Sequence, residues 1–298
     1  MNAFLEFIEQ FREWSLGIFA ALPLGEWLQD ATDVAVDWLV INASWLLDML
    51  LLAPIDFVLS NFKDGLDWLP WPIVVIIVFW IGWRTAGWKI GLVGAVGLIL
   101  NGFLGYWELT METLAIILTA LSICVLLGVP IGIWAARNDR VDAISRIVMD
   151  GMQTIHPFVY LVPIVMLLGI GSVPGTIATI IFAIPPMIRL TNLGIRQVST
   201  EVVEAGRSFG SSDRQLLFEV QIPLAMRTIM AGLNQTVMLA LSMVVIISLI
   251  AGGGLGQEIL RSVGRLDVGR ALASGIAVLI LAIVLDRISQ SSGQEQTE

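Results

Sequence analysis

From residue 68 onward the chain alternates long apolar runs with short polar intervals. Seven of the runs approach the roughly 20 residues that a helix needs to cross a hydrocarbon core, at about 69–84, 89–107, 112–136, 150–170, 174–192, 231–251 and 271–287. In lipid every backbone group must be paired within its own segment or barrel, so runs of this length predict an all-α membrane protein. The first 67 residues follow a different pattern. Glu6, Glu9 and Glu13 recur at helical spacing among Phe4, Leu5, Phe7, Ile8, Phe11 and Trp14. Further on, Asp30, Asp33, Asp37, Ser44 and Asp48 form a stripe opposite Trp38, Leu39, Val40, Ile41, Trp45, Leu46 and Leu50. Both patterns predict amphipathic helices. A path through lipid would bury those carboxylates, so the second helix is expected to lie in the interface or to pack on the rest of the protein. The segment shows no long uninterrupted apolar run and no basic stretch leading to a cleavage site, and is expected to stay on the mature chain. The expected organisation is an acidic amphipathic region over 1–67, a transmembrane domain over 68–288 with a long polar loop at 193–229, and a polar tail over 289–298.

Charge sharpens this picture. Only 14% of the residues are charged, against about 25% in a soluble domain. The net charge of -9 is local, because residues 1–67 hold eleven acids and two bases whereas 68–298 hold fourteen of each. With the N-terminal region outside, eleven of the sixteen bases fall in inner loops: Arg84, Lys89, Arg137, Arg140, Arg146, Arg189, Arg196, Arg207, Arg214, Arg227 and Arg287. The bias of bases toward the inner side therefore predicts an outside N-terminus and a cytoplasmic C-terminus. The acidic stripe near residue 40 carries no bases, which excludes a polybasic lipid anchor. The one cysteine, Cys124, sits in an apolar run and is expected to be a packing residue.

Proline and glycine mark irregular backbone. Pro130, Pro157, Pro163, Pro174, Pro185 and Pro186 fall in or beside the third, fourth and fifth runs, and broken helices in a membrane pack within a bundle or line a cavity. Pro157, Phe158, Tyr160, Pro163, Pro185 and Pro186 are therefore the candidate translocation path. Gly252, Gly253, Gly254 and Gly256 predict an outer loop with unusual backbone angles, followed by a short helix around 258–263.

The loop at 193–229 is too polar to span and too regular for a linker. Ser199-Thr200-Glu201 offers a helix start, Gly210 suits the left-handed position beyond the helix end, and Ser212 with Gln215 forms a capping box for a second helix that Pro223 interrupts. Such a helical elbow suits a partner protein. Its residues Glu204-Ala205-Gly206, then Gly210, then Val220-Gln221-Ile222-Pro223 resemble the Glu-Ala-Ala loop of bacterial ABC importer permeases. That motif reads Glu-Ala-Ala, three residues, Gly, nine residues, Ile, one residue, Leu-Pro. The chain departs from it at Gly206, Val220 and Ile222. The resemblance implies the type I ABC importer transmembrane domain, about seven transmembrane helices preceded by amphipathic N-terminal helices. It also implies that the loop is a coupling helix seated in a groove of an ATPase subunit, with Glu204 and Gly210 carrying the motif and Ala205 and Pro223 supporting it.

Over about 149–288, Gln153-Thr154, the segment from Pro157 to Pro163, the segment from Pro185 to Thr191, and Leu239–Ser248 are similar to the permeases of glycine betaine and proline betaine importers. These permeases also have a long acidic N-terminal region. The resemblance implies a homodimeric, multi-pass permease in a bacterial inner membrane, served by two copies of a cytoplasmic ATPase and a separate extracytoplasmic binding protein. His156 stands where a small residue or proline is expected. ATP and Mg belong to the ATPase partner and no cofactor to this chain, which has no Gly-x-x-x-x-Gly-Lys loop and whose only lysines are Lys63 and Lys89. The aromatic cage expected for a quaternary ammonium group is assigned to the binding protein. Trp68, Trp71, Trp83, Trp88 and Trp107 are read as interfacial anchors, and Phe158 and Tyr160 as packing residues with transient contacts to a passing solute.

Other readings fare differently. An ion-coupled transporter needs acids deep in its spans, whereas Glu112, Asp150 and Asp286 lie near span ends. An enzyme lacks its parts, since one His and one Cys make no metal cluster and no nucleophile has a base beside it. An ABC importer for choline, trimethylamine N-oxide or another small solute stays open, because the elbow is generic to the family.

Overall fold

The computed structural model describes residues 24–291; the stripe at Glu6–Glu13 and the tail beyond Ser291 lie outside the described residues. Two compact units are present. The described part of the first is one helix, α1 (Leu24–Leu47), which carries Asp30, Asp33 and Asp37 at helical spacing. In the second unit a π-helical turn (Asp48–Leu52) leads into α2 (Ala53–Trp68). There follow α3 (Trp71–Ala86), α4 (Trp88–Phe103), α5 (Trp107–Arg137), α6 (Asp139–Thr154), α7 (Pro157–Leu168) and α8 (Ser172–Arg196). A short α9 (Thr200–Ser208) precedes α10 (Ile222–Ile247), α11 (Gly254–Gly264) and α12 (Val268–Ser291).

Among the described residues, five helical runs are long and apolar enough to cross a membrane: Trp45–Trp68, Trp107–Arg137, Ser172–Arg196, Asp213–Ile250 and Val268–Ser289. The α6–α7 pair makes a sixth when counted as one span, and α3 and α4 are apolar but shorter. The seven expected runs are therefore all helical but unequal. The fourth, read as one span at 150–170, is broken, with α6 and α7 bent by 96°. The cause is local. A residue before proline is pushed out of the helical region, and Ile155 and His156 are extended (ψ 125° and 137°). His156 then caps α7, accepting from the Phe158 N–H at 3.4 Å and stacking on the Phe158 ring. A second difference concerns Trp45–Trp68, where the sequence showed no long apolar run. Asp48 and Asp56 punctuate that stretch, yet an 18-residue window of it has a mean hydropathy of 1.5. Charge also gathers on one side of α2, where Asp56, Lys63, Asp64 and Asp67 are exposed while Ile55 and Leu59 are buried.

At the centre of the second unit α8 packs along α5 and α10. Glycines set the α5–α8 distance. A Cβ on Gly132 would stand 2.6 Å from Thr191 Cβ and 2.8 Å from the Ile188 carbonyl, and one on Gly128 would meet Met187. Small residues four apart are what lets membrane helices approach closely. Three threonines of this core are satisfied within their own helices: Thr119, Thr179 and Thr236 donate to the carbonyls of Ala115, Gly175 and Gly232 at 2.7, 2.9 and 2.8 Å, whereas the Thr191 hydroxyl is buried without a partner among the described residues. Cys124 is fully buried, as expected of a packing residue.

Contacts sort the helix ends into two groups. Arg196, at the end of α8, donates to the Ala135 carbonyl near the end of α5 at 2.9 Å, and Arg137 donates to the Asp213 carbonyl at 2.8 Å. At the opposite end Glu112, near the start of α5, meets Gly254, and Gly171, before α8, donates to the Ile250 carbonyl. Hence α5 and α8 run in the same direction, and the 193–229 elbow and the glycine loop lie at opposite ends.

Candidate functional site

The elbow after α8 is built from local signals. Gly210 follows α9 with φ +85°, the left-handed region that a side chain adopts at a cost. The Gly210 N–H donates to the Arg207 carbonyl at 2.9 Å and the Ser211 N–H to the Gly206 carbonyl at 3.1 Å, the paired bonds of a Schellman termination. Ser212 and Gln215 form the expected capping box, in which Ser212 N–H donates to Gln215 Oε1 at 2.9 Å and Gln215 N–H to Ser212 Oγ at 3.4 Å. Ser199 occupies the position before α9, but its side chain makes no capping bond. The chain also departs from expectation at Pro223, which does not interrupt the second helix. A π-helical turn (Leu216–Gln221), closed by the Ile222 N–H to the Leu217 carbonyl, feeds directly into α10 with Pro223 in its first turn. There the missing N–H costs little.

Gly206, where the family motif has alanine, has a packing reason: a Cβ there would stand 2.8 Å from Leu216 Cδ1. Leu216 and Leu217 are buried, and Leu217 joins Met187, Ile195, Ala225 and Ile229 in one apolar cluster. Ile222 packs against that cluster and Val220 is half-buried. The outer side is different. Glu204, Ala205 and Arg207 are exposed, and Phe209 is 92% exposed. The elbow thus has a fixed base and an apolar, charged tip.

An ion network that spacing did not reveal holds the α8 end of this base. Asp142, 6% exposed on the polar helix α6, accepts from Arg146 Nε at 3.1 Å and Nη2 at 2.7 Å and from Asn192 Nδ2 at 2.6 Å. Arg196 donates to Asn192 Oδ1 at 2.9 Å and to Asp139 at 2.8 Å, and Arg189 pairs with Asp150. Buried charge tolerated in this way requires each group to be paired and bonded. At the opposite end Glu112 accepts from the Gly254 N–H at 2.8 Å and pairs with Lys63 at 3.1 Å, while Thr113 Oγ1 accepts from the Leu255 N–H at 2.8 Å. Gly253 and Gly254 have φ +81° and +67°, and a Cβ on Gly253 would meet Glu112 Oε1 at 2.7 Å. The start of α11 is thereby stitched to α5 and α2.

The expected path residues occupy two helices in contact, α7 and α8. Pro157 is buried, Phe158 and Pro163 are exposed, and Tyr160 is half-buried with its hydroxyl buried and unpaired. Pro185 and Pro186 lie in the buried core of α8, where a Cβ on Gly232 would stand 3.2 Å from the Pro186 carbonyl.

Residues 128–294 match the family described as binding-protein-dependent transport system inner membrane component. The chain belongs to this family. The permease is 51% identical, over 92% of its length and 76% of the relative's, to the glycine betaine/proline betaine transport system permease protein ProW of Escherichia coli strain K12. It is 43% identical, over 89% of its length and 93% of the relative's, to the glycine betaine transport system permease protein OpuAB of Bacillus subtilis strain 168. Among solved structures, its fold is similar to an inward-facing methionine ABC transporter MetNI, with TM-score 0.52 and 21% identity over 62% of this chain and 91% of that one. The chain is a multi-pass inner membrane transport subunit of an ABC importer, not a catalytic one.

Proposed function

We propose that this permease carries glycine betaine and proline betaine into the cell, driven by ATP hydrolysis on a separate ATPase. The observation that carries the solute is the 51% identity to a glycine betaine/proline betaine permease across 92% of the chain. Two copies of the chain form the pore, with the elbow and C-terminus in the cytoplasm, where the excess of bases supports them. An outside N-terminal region then requires the Trp45–Trp68 helix to lie along the outer surface, which its exposed Asp56, Lys63, Asp64 and Asp67 favour.

In this reading Glu204, Ala205, Gly206 and Gly210 present the elbow tip to a groove of the ATPase, while Val220, Ile222 and Pro223 fix its base. ATP and its Mg sit on that partner. The binding protein docks on the outer loops around 251–270, and the Glu112 stitch conveys its seating to α5 and α2. ATP binding draws the two elbows together and opens the cavity outward; hydrolysis returns it. Pro157, Phe158, Tyr160, Pro163, Pro185 and Pro186 border the path, with Phe158 and Pro163 on its exposed side.

Proteoliposomes holding the permease, its ATPase and its binding protein are expected to take up radiolabelled glycine betaine only with internal ATP. Choline and trimethylamine N-oxide should fail to compete. Uptake driven by an imposed ion gradient without the ATPase overturns the reading, and uptake of choline alone reassigns the solute. Glu204→Lys reverses an exposed charge on α9 without touching the base. It is expected to weaken ATPase retention during purification by at least about tenfold, and wild-type stoichiometry would remove Glu204 from the docking surface.

A further inference from the structure

We infer that the permease carries a binding site for a quaternary ammonium group where Trp71, Phe103 and Trp107 gather beside Asp67. The inference goes beyond the transported solute, since rings and carboxylate take such a group whether or not it is cargo. The four residues line one cavity of 490 Å³, formed where α2 ends, α3 begins, α4 ends and α5 begins. That volume lies within the range of small-molecule sites. Gly102 presents no side chain on the flank of Trp107, where a Cβ would stand 3.7 Å from the indole.

The chemistry narrows the ligand. Asp67 is exposed and has no hydrogen-bond or ion-pair partner among the described residues. Aromatic faces attract a cation through the ring quadrupole, most strongly a quaternary ammonium, which has no N–H needing an acceptor. A primary ammonium would want three acceptors, and among the named lining side chains only Asp67 carries a carboxylate. The end of the unit supports the same occupant: Lys63, one turn before Asp67, pairs with Glu112 at the glycine-loop end, which faces outward in the orientation proposed above. There the group can reach the site from a free solute or from a choline lipid headgroup.

The test reads binding rather than uptake, so it stands apart from the solute proposal. The permease with its ATPase, in nanodiscs of phosphatidylethanolamine and phosphatidylglycerol, is titrated with tetramethylammonium and followed by saturation-transfer NMR. Saturable binding is expected, with tert-butanol, a neutral molecule of similar shape, failing to compete. Asp67→Asn and Trp71→Leu, both at exposed positions, should each weaken binding by at least about fivefold, and Trp71→Phe should retain most of it. Nanodiscs containing phosphatidylcholine separate the sources: loss of the signal assigns the site to a lipid headgroup, and an unchanged signal assigns it to free solute. No saturable binding, or equal binding by all variants, overturns the inference.

Discussion

Gly210→Val is expected to abolish ATP-driven uptake while leaving the permease folded in the membrane. A Cβ at this position would meet nothing within 4 Å, so the effect is conformational and not steric. At φ +85° an ordinary L-residue pays roughly 1–2 kcal/mol, and a β-branched one is a worse outlier still. The strain is relieved most easily by giving up the two bonds that end α9, from Gly210 to Arg207 and from Ser211 to Gly206. Each contributes on the order of 1 kcal/mol, so the turn that aims the tip rearranges. The base, held by buried Leu216 and Leu217 and by Arg137 on Asp213, stays in place. Uptake should fall to background, with the ATPase still bound but no longer stimulated by the loaded binding protein. Gly210→Asn, which tolerates the left-handed region better, should retain partial activity. Wild-type uptake and stimulation in the valine variant would remove Gly210 from coupling.

The elbow was legible in the sequence because its determinants are local. Gly210 and the Ser212–Gln215 box lie within a few residues of what they terminate or start, and the structure has both. The break before α7 was also written locally, in His156 preceding Pro157. The residue before a proline leaves the helical region, and a histidine in that position caps the helix that restarts there. Pro223 failed in the opposite direction. Proline breaks a helix only where the lost N–H was needed, and the π-helical turn before it shifts that position to the first turn of α10. The ion network and the glycine-loop stitch were illegible for a different reason. Asp142 and Asn192 are 50 residues apart, and Glu112 and Gly254 are 142 apart. Nothing in either residue's neighbourhood names its partner, which exists only once α5, α6, α8 and α11 have packed.

Gly132→Leu is expected to leave no folded permease. The added atoms would enter the tightest part of the α5–α8 contact, where even a Cβ would stand 2.6 Å from Thr191 Cβ and 2.8 Å from the Ile188 carbonyl. A flexible side-chain end can move aside; a helix backbone cannot without moving the helix. Overpacking a core by a few methylenes costs about 1–3 kcal/mol, and here the displacement spreads. Asn192 follows Thr191 and Arg196 lies one turn on, so pushing α8 away separates Asn192 from Asp142 and Arg196 from Ala135 and Asp139. Asp142 then keeps Arg146 but loses Asn192, and a hydrogen bond to a charged group contributes about 1.5–3 kcal/mol. Together with the overpacking this is a large share of a typical domain's stability of about 5–15 kcal/mol. The readout is the yield of monodisperse protein in detergent and its thermal midpoint. Gly132→Ala should lower the midpoint without abolishing folding, and Pro130→Ala, at an exposed position of the same helix, should change it little. A leucine variant with the wild-type midpoint would mean that α5 and α8 do not approach this closely. The two glycines thus separate two requirements of one machine: Gly132 lets the helices that carry the elbow pack, and Gly210 decides where the packed elbow points.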